Sequence, residues 1–135
     1  MRAELYEAIK AKIAEAVPEI KHIDLWNHNV EFLEEETPWA RPAVFIEYGT
    51  ITWQPLQGHG RRGRGEVRLH LVTDWAEGQY EAAFALSRKL LQAIEGLSGD
   101  EFDGMALMAT DTSHSHEDIL ENIDTYAVRY YLSEP

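Results

Sequence analysis

The sequence contains no cysteine, which excludes disulfide bonds, thiolate zinc sites and cysteine nucleophiles. It also lacks an apolar run long enough to cross a bilayer as a helix, so we expect no transmembrane segment. The first residues do not form the apolar core of a signal peptide, and we therefore expect synthesis in the cytoplasm.

Basic residues are scarce: 12 Lys and Arg stand against 24 Asp and Glu, for a formal net charge of −12. Such a surface repels phosphate at long range, so sequence-specific nucleic-acid binding is not expected. A duct that DNA crosses without being gripped should be acidic, and the composition permits that role. With 44% hydrophobic residues in 135, the chain can bury one core, and we expect a single domain over 1–135.

Apolar residues at three- and four-residue steps predict two helices. The first spans 3–16 and ends before Pro18. The second spans 77–95, with Asp74 and Glu77 resembling a capping box and Gly96 or Gly99 closing it. Its side chains predicted to face the core are Tyr80, Ala83, Phe84, Leu90, Leu91, Ile94 and Leu97.

Alternating and β-branched stretches predict a short edge strand at 21–26 and strands at 43–53, 66–73, 105–110 and 124–132. His70 is expected to be a polar side chain on an exposed strand face. Between these elements we expect an acidic surface excursion at 27–42, a flexible hairpin tip at 54–65 and a polar turn at 112–122. The element order predicts an α+β fold: a mainly antiparallel four- to five-stranded sheet, two helices packed on one face, and a long β-hairpin.

Candidates for catalysis are few. His114 and His116 lie near Asp111, Glu117 and Asp118, and imidazole with carboxylate could hold a divalent metal. Side chains two residues apart converge only on a strand face and no third ligand is specified, so a solvated turn is the preferred interpretation. No serine stands in a nucleophile elbow. We therefore expect no catalytic residue, no cofactor and no bound metal, and predict that the protein is not an enzyme.

The most unusual segment is 58–65, with the letters GHGRRGRG. It lacks the Lys-Ser/Thr of a phosphate-binding loop, and a strand follows where a dinucleotide fold would have a helix. Arg61, Arg62 and Arg64 would suit a hairpin arm that docks on an acidic partner or on phosphate; a disordered, solubilising tip is the other interpretation. Further interaction candidates are Arg68, Trp53 and Trp75, because Trp and Arg are enriched at interfaces.

Several runs carry a family resemblance: RPAVFIEYG at 41–49, GEVRLHLVT at 65–73, the helix at 77–97 and ENIDTYAVRYYL at 121–132. Their order and texture resemble those of bacteriophage tail-terminator, or tail-completion, proteins. The resemblance covers most of the chain and rests on element order rather than on a signature motif.

The resemblance implies a structural virion protein without catalytic residues. Such proteins form hexameric rings that cap the tail tube at the head–tail joining interface and let DNA pass. The implied partners are further copies of the chain, the tail-tube protein and head–tail connector proteins, without a membrane. The implied location is the bacterial host cytoplasm and then the virion tail. Two alternatives stay open: a monomeric adaptor or inhibitor acting through the Arg-rich hairpin, and a small metal-dependent enzyme using His114 and His116.

Overall fold

Two helices and five strands make up the described part of the computed structural model, which covers residues 1–27, 39–56, 58, 60–74, 80–116 and 119–133. In chain order the elements are α1 (Arg2–Ala16), β1 (His22–Leu25), β2 (Ala43–Leu56), β3 (Gly60–Asp74), α2 (Tyr80–Ile94), β4 (Phe102–His116) and β5 (Ile119–Ser133). Within these ranges no helix could span a membrane.

The strands form one sheet in the order β1-β2-β3-β5-β4. Strands β2, β3, β5 and β4 pair antiparallel with their neighbours, whereas the short edge strand β1 runs parallel to β2. The predicted α+β fold, with a mainly antiparallel sheet, two helices and a long hairpin, is confirmed. The short edge strand is confirmed as well, with a parallel orientation that the alternation of its residues does not encode.

The main core lies between the two helices and one face of the sheet. Leu5, Ile9 and Ile13 recur every four residues on α1 and are fully buried, as expected for the apolar stripe of a helix. Val67 and Leu69 alternate along β3 and meet the helices from the sheet. Each fully buried side chain of this kind stabilises the fold by about 1.5–3 kcal/mol, so this layer holds the helices against the sheet.

A smaller apolar cluster covers the opposite face near the start of β2 and the end of β3. Phe45 and Val72 are fully buried there, with Trp26 and Trp39 packed against them. The Trp39 ring meets Phe45 edge-on, with 4.8 Å between ring centroids. Trp26 and Trp39 therefore pack inside the fold.

The loop predicted at 54–65 is wrong, because β2 continues to Leu56 and β3 begins at Gly60. Residues 60–65 pair with β2 on one side and β5 on the other. Of the four glycines that suggested flexibility, Gly60, Gly63 and Gly65 are strand positions against which side chains of β2 lie, whereas Gly58 is in the turn. The turn predicted at 112–122 is also too long, since β4 continues to His116 and β5 starts at Ile119. Both errors arise because exposed strand ends with small or polar residues resemble turns.

The core-facing side predicted for α2 is partly wrong. Leu90 and Ile94 are fully buried, but Tyr80 and Phe84 are 46% and 47% exposed. At about 100° per residue, Phe84 lies about 120° around the helix from Leu90, so the two cannot share one face. Gly96, at φ +83, closes the helix. It is one of the two glycines predicted for this position. Asp74 is the last residue of β3 and accepts a bond from Arg41; Glu77 lies outside the described residues.

Candidate interaction surface

The Arg-rich end of the sheet is built from three paired strands. We call this region the basic tip and define it as residues 50–56 of β2, 60–65 of β3 and 129–133 of β5. In its register, Gln54 stands opposite Arg62 and Arg61 stands opposite Leu132. The arginines predicted to lie on a loop are therefore held by a ladder on both sides.

Strand alternation divides these arginines between the two faces of the sheet. Arg61 lies on the helix-packed face, where it lines an open cleft of about 540 Å³ together with Arg2 and Trp53. Arg62 and Arg64 lie on the opposite face and line a second cleft of about 380 Å³. The side chains of Arg61, Arg62 and Arg64 are all exposed, so the basic tip presents cations on both faces of the sheet.

The glycines of β3 make room for the side chains of β2. A Cβ added to Gly63 would lie 2.8 Å from two ring carbons of Trp53 and 2.9 Å from a methyl of Ile51. A Cβ on Gly65 would lie 3.0 Å from Ile51. The Trp53 ring in turn packs near Tyr130, at 6.4 Å between centroids. Trp53 therefore packs within the basic tip and is half-buried against the core.

The arginines of this end differ in their ion pairing. Arg68 lies within ion-pair distance of Glu47 and Glu66, at 3.6 and 3.3 Å, so it belongs to a charge ladder within the sheet. Arg129 donates to Asp103 at 2.8 Å. No carboxylate among the described residues is within ion-pair distance of Arg62 or Arg64. The Arg62 guanidinium instead lies 5.9 Å from the centre of the Tyr131 ring.

Charge is strongly segregated along the chain. Residues 50–65 contain three arginines and no Asp or Glu. Since the whole chain carries −12 with histidines neutral and this segment carries +3, the remaining residues carry −15. The tip is thus a cationic feature on an anionic protein, which is suited to binding carboxylates or phosphates.

His70 is the feature that sequence reasoning missed. The prediction of an exposed polar side chain is wrong, because His70 is only 4% exposed. Its Nε2 lies 2.7 Å from Glu47 and its Nδ1 3.4 Å from Glu121. The imidazole also stacks on Trp26, at 3.9 Å between centroids and an interplanar angle of 4°. These partners come from β2, β5 and the residues after β1, so only the strand register brings them together.

Trp75 and the side chains of His114 and His116 lie outside the described part of the structure. Among the residues that are described, no three His, Asp or Glu side chains are arranged to hold a metal ion. Burial raises the pKa of Tyr130 to about 12, and it raises the pKa of Tyr48 and Tyr126 further.

No family model and no curated protein matches this chain. A solved structure does. The chain is similar to one in the virion of a native gene transfer agent particle, with a TM-score of 0.63 and 14% sequence identity. The similarity covers 94% of this chain and 91% of that one. At this identity the match establishes a shared fold, and it does so over nearly the full length of both chains.

Three of the runs that carried the family resemblance occupy the centre of this shared fold. Residues 41–49 lead into and form the first half of β2, 65–73 lie in β3, and 121–132 lie in β5. These three strands are consecutive in the sheet. Three of the four runs therefore lie in one contiguous part of the sheet, whose far end is the basic tip.

Proposed function

We propose that this chain is a structural virion protein and, within the virion, a tail-terminator subunit. Copies form a hexameric ring that caps the tail tube at the head–tail junction and lets DNA pass. The observation that carries the proposal is the fold shared with a chain of the gene transfer agent virion across 94% of this chain. The resemblance of the β2, β3 and β5 runs to tail-terminator proteins narrows the role to the tail end.

The proposed partners are other copies of the chain, the tail-tube protein and head–tail connector proteins. The protein would be made in the host cytoplasm and then reside in the virion tail. No catalytic residue, cofactor or metal is needed for this role. The net charge of −12 suits a ring around passing DNA, because an acidic wall gains no counterion-release affinity for phosphate.

Deleting the gene from a particle-producing strain tests the proposal. A tube without its cap has no signal to stop growing and no surface on which a head can join. Electron microscopy should therefore show longer tubes of broad length distribution together with unjoined heads, and plasmid-borne protein should restore joined tails. Particles with normal, joined tails after deletion would contradict the proposal.

Purified protein gives a second, direct readout. Added to isolated tail tubes, it should appear as extra density at one end of each tube and nowhere along the shaft. A protein that binds neither end would remove the tail-terminator role.

A monomeric adaptor is the second candidate. Arg62 and Arg64 have no carboxylate within ion-pair distance among the described residues, and a single acidic partner protein could bind them as well as a second copy could. Mass measured by light scattering over a concentration series, with and without tail tubes, separates the two. A strict monomer that also ignores tubes would favour the adaptor.

A further inference from the structure

The basic tip and the acidic remainder of the chain are complementary charges on one molecule. We infer that the basic tip docks on exposed carboxylates of a second copy, so that copies join head to tail. This inference deepens the proposed ring and rests on it. It assigns the contact that holds neighbouring subunits together and the type of symmetry that the contact obeys.

A second copy is the occupant that the charge distribution favours. Every copy brings a surface that carries −15 outside residues 50–65, so the complementary partner is present wherever the protein is. Duplex DNA is a weaker candidate, because the chain as a whole carries −12 and repels phosphate at long range. The planar guanidinium of arginine binds carboxylate with two parallel hydrogen bonds, which suits a protein surface.

The acceptor carboxylates must be exposed and not already paired. Among the described residues, six acidic side chains are exposed and lack a described cation within ion-pair distance: Glu7, Glu15, Glu81, Glu95, Asp100 and Asp111. None belongs to the basic tip. Donor and acceptor therefore lie on different parts of the molecule.

This separation excludes a tip-to-tip contact, and the proposed ring then requires a heterologous contact rather than a reciprocal twofold one. Two tips facing each other across a twofold axis would place arginines against arginines, which costs energy. A tip placed on the acceptor surface of the next copy leaves a free tip at one end and a free acceptor at the other. Such a heterologous contact closes into a ring when the rotation between copies allows it.

The first experiment uses a charge-reversed tip, Arg62→Glu with Arg64→Glu. Its matched control is Lys10→Glu with Arg88→Glu, which changes the net charge equally at exposed helix positions. The parent should self-associate at low salt, as measured by sedimentation velocity, and dissociate as the Debye length falls from about 30 Å at 0.01 M to about 3 Å at 1 M. The tip variant should associate at least about tenfold more weakly than the parent. The control should associate about as tightly as the parent.

The second experiment tests the head-to-tail geometry by mixing. The tip variant keeps its acceptor, whereas Glu81→Gln with Asp111→Asn, or Glu7→Gln with Glu15→Gln, neutralises an acceptor and keeps the tip. Each variant should be monomeric on its own if the neutralised pair is the acceptor. A mixture of the two should form dimers and stop there, because the free ends of the dimer are an acidic tip and a neutral acceptor, which do not attract each other.

Several outcomes would overturn the inference. These are a parent that stays monomeric at low salt, a tip variant that associates as tightly as the parent, or neither acceptor variant forming dimers with the tip variant. Tip-dependent binding of a labelled DNA duplex without self-association would assign the arginines to phosphate instead. A tip variant that still caps tubes with full rings would refute this contact and leave the tail-terminator role standing. A tip-dependent oligomer that never binds tubes would support the contact and refute the tail-terminator role.

Discussion

The hydroxyl of a buried tyrosine can raise or lower the free energy of unfolding, depending on whether it is hydrogen-bonded. The hydroxyls of Tyr126 and Tyr130 are buried and have no hydrogen-bond partner among the described residues. The hydroxyl of Tyr48 donates to the backbone oxygen of Arg2 at 2.6 Å. A buried polar group without a partner costs free energy, whereas a bonded one contributes.

Replacing tyrosine by phenylalanine should therefore have opposite effects at these positions. Tyr126→Phe removes an unpaired hydroxyl and should leave the free energy of unfolding unchanged or raise it by about 1 kcal/mol. Tyr48→Phe, its matched control, removes a bonded hydroxyl and should lower it by about 1 kcal/mol. Urea denaturation at neutral pH measures both. Equal destabilisation by the two substitutions would show that the Tyr126 hydroxyl is satisfied.

Residue roles that depend on strand register could not be predicted from the sequence. Arg68, which was predicted for a partner surface, lies within ion-pair distance of Glu47 and Glu66, and the pairing across to Glu47 depends on strand register. His70 was expected in solvent, yet it is buried between two carboxylates. Glu121 is 51 residues from His70 along the chain, so no local pattern joins them. The buried stripe of α1 depends only on local periodicity, and it was predicted correctly.

At the scale of elements, α2 has two unlike halves. None of the residues 80–89 is buried, whereas Leu90, Ala93 and Ile94 are. The C-terminal end also reaches the edge strand β4, where the Glu95 carboxylate accepts the backbone N–H of Leu107 at 3.0 Å. The second half anchors the helix and covers part of a free sheet edge, which would otherwise offer unpaired backbone groups.

Substitutions along α2 should follow this division. Leu90→Ala opens a cavity in the core and should cost about 2–5 kcal/mol of unfolding free energy. Phe84→Ser acts on a side chain that is 47% exposed and should change stability by no more than about 0.5 kcal/mol. Thermal or urea unfolding followed by circular dichroism provides the comparison. A large loss from Phe84→Ser would mean that the first half of the helix is packed as the sequence predicted.

The strands illustrate a limit of composition as a guide. Glycine and arginine at 60–65, and polar residues at 112–116, are typical of loops and turns. In this fold the glycines accept the ring of Trp53 and the side chain of Ile51, and β4 is an edge strand whose middle is exposed. Exposure and close packing by a neighbour are properties of the assembled sheet, so the strand ends were not predictable from local sequence.

For the whole molecule, the buried tyrosines predict sensitivity to alkali. Burial raises the pKa of Tyr130 from 10.0 to about 12, and it also raises the pKa of Tyr48 and Tyr126. Above pH 10.0 the unfolded chain loses these protons while the folded chain keeps them, so unfolding becomes more favourable. The stabilising contribution is complete below pH 10.0 and is lost as pH rises through the folded values.

Each such tyrosine should lower the unfolding free energy by about 1.4 kcal/mol per pH unit above the unfolded pKa. Urea titrations on both sides of pH 10.0 should show this slope, and Tyr126→Phe should make it shallower. Absorbance at the tyrosinate band gives an independent check. If all six tyrosines ionised before secondary structure was lost, the tyrosines would not be the cause.

Both ends of the described chain lie at the basic tip, and this affects how the protein can be handled. Met1 and Leu132 line the same cleft as Arg61, and Ser133 stands opposite Gly60 in the sheet. Any peptide fused before Met1 or after the last strand therefore starts beside the arginines. An affinity tag rich in acidic residues would compete for them within its own chain, so a cleavable tag, removed before assembly is measured, is the form of the protein to study.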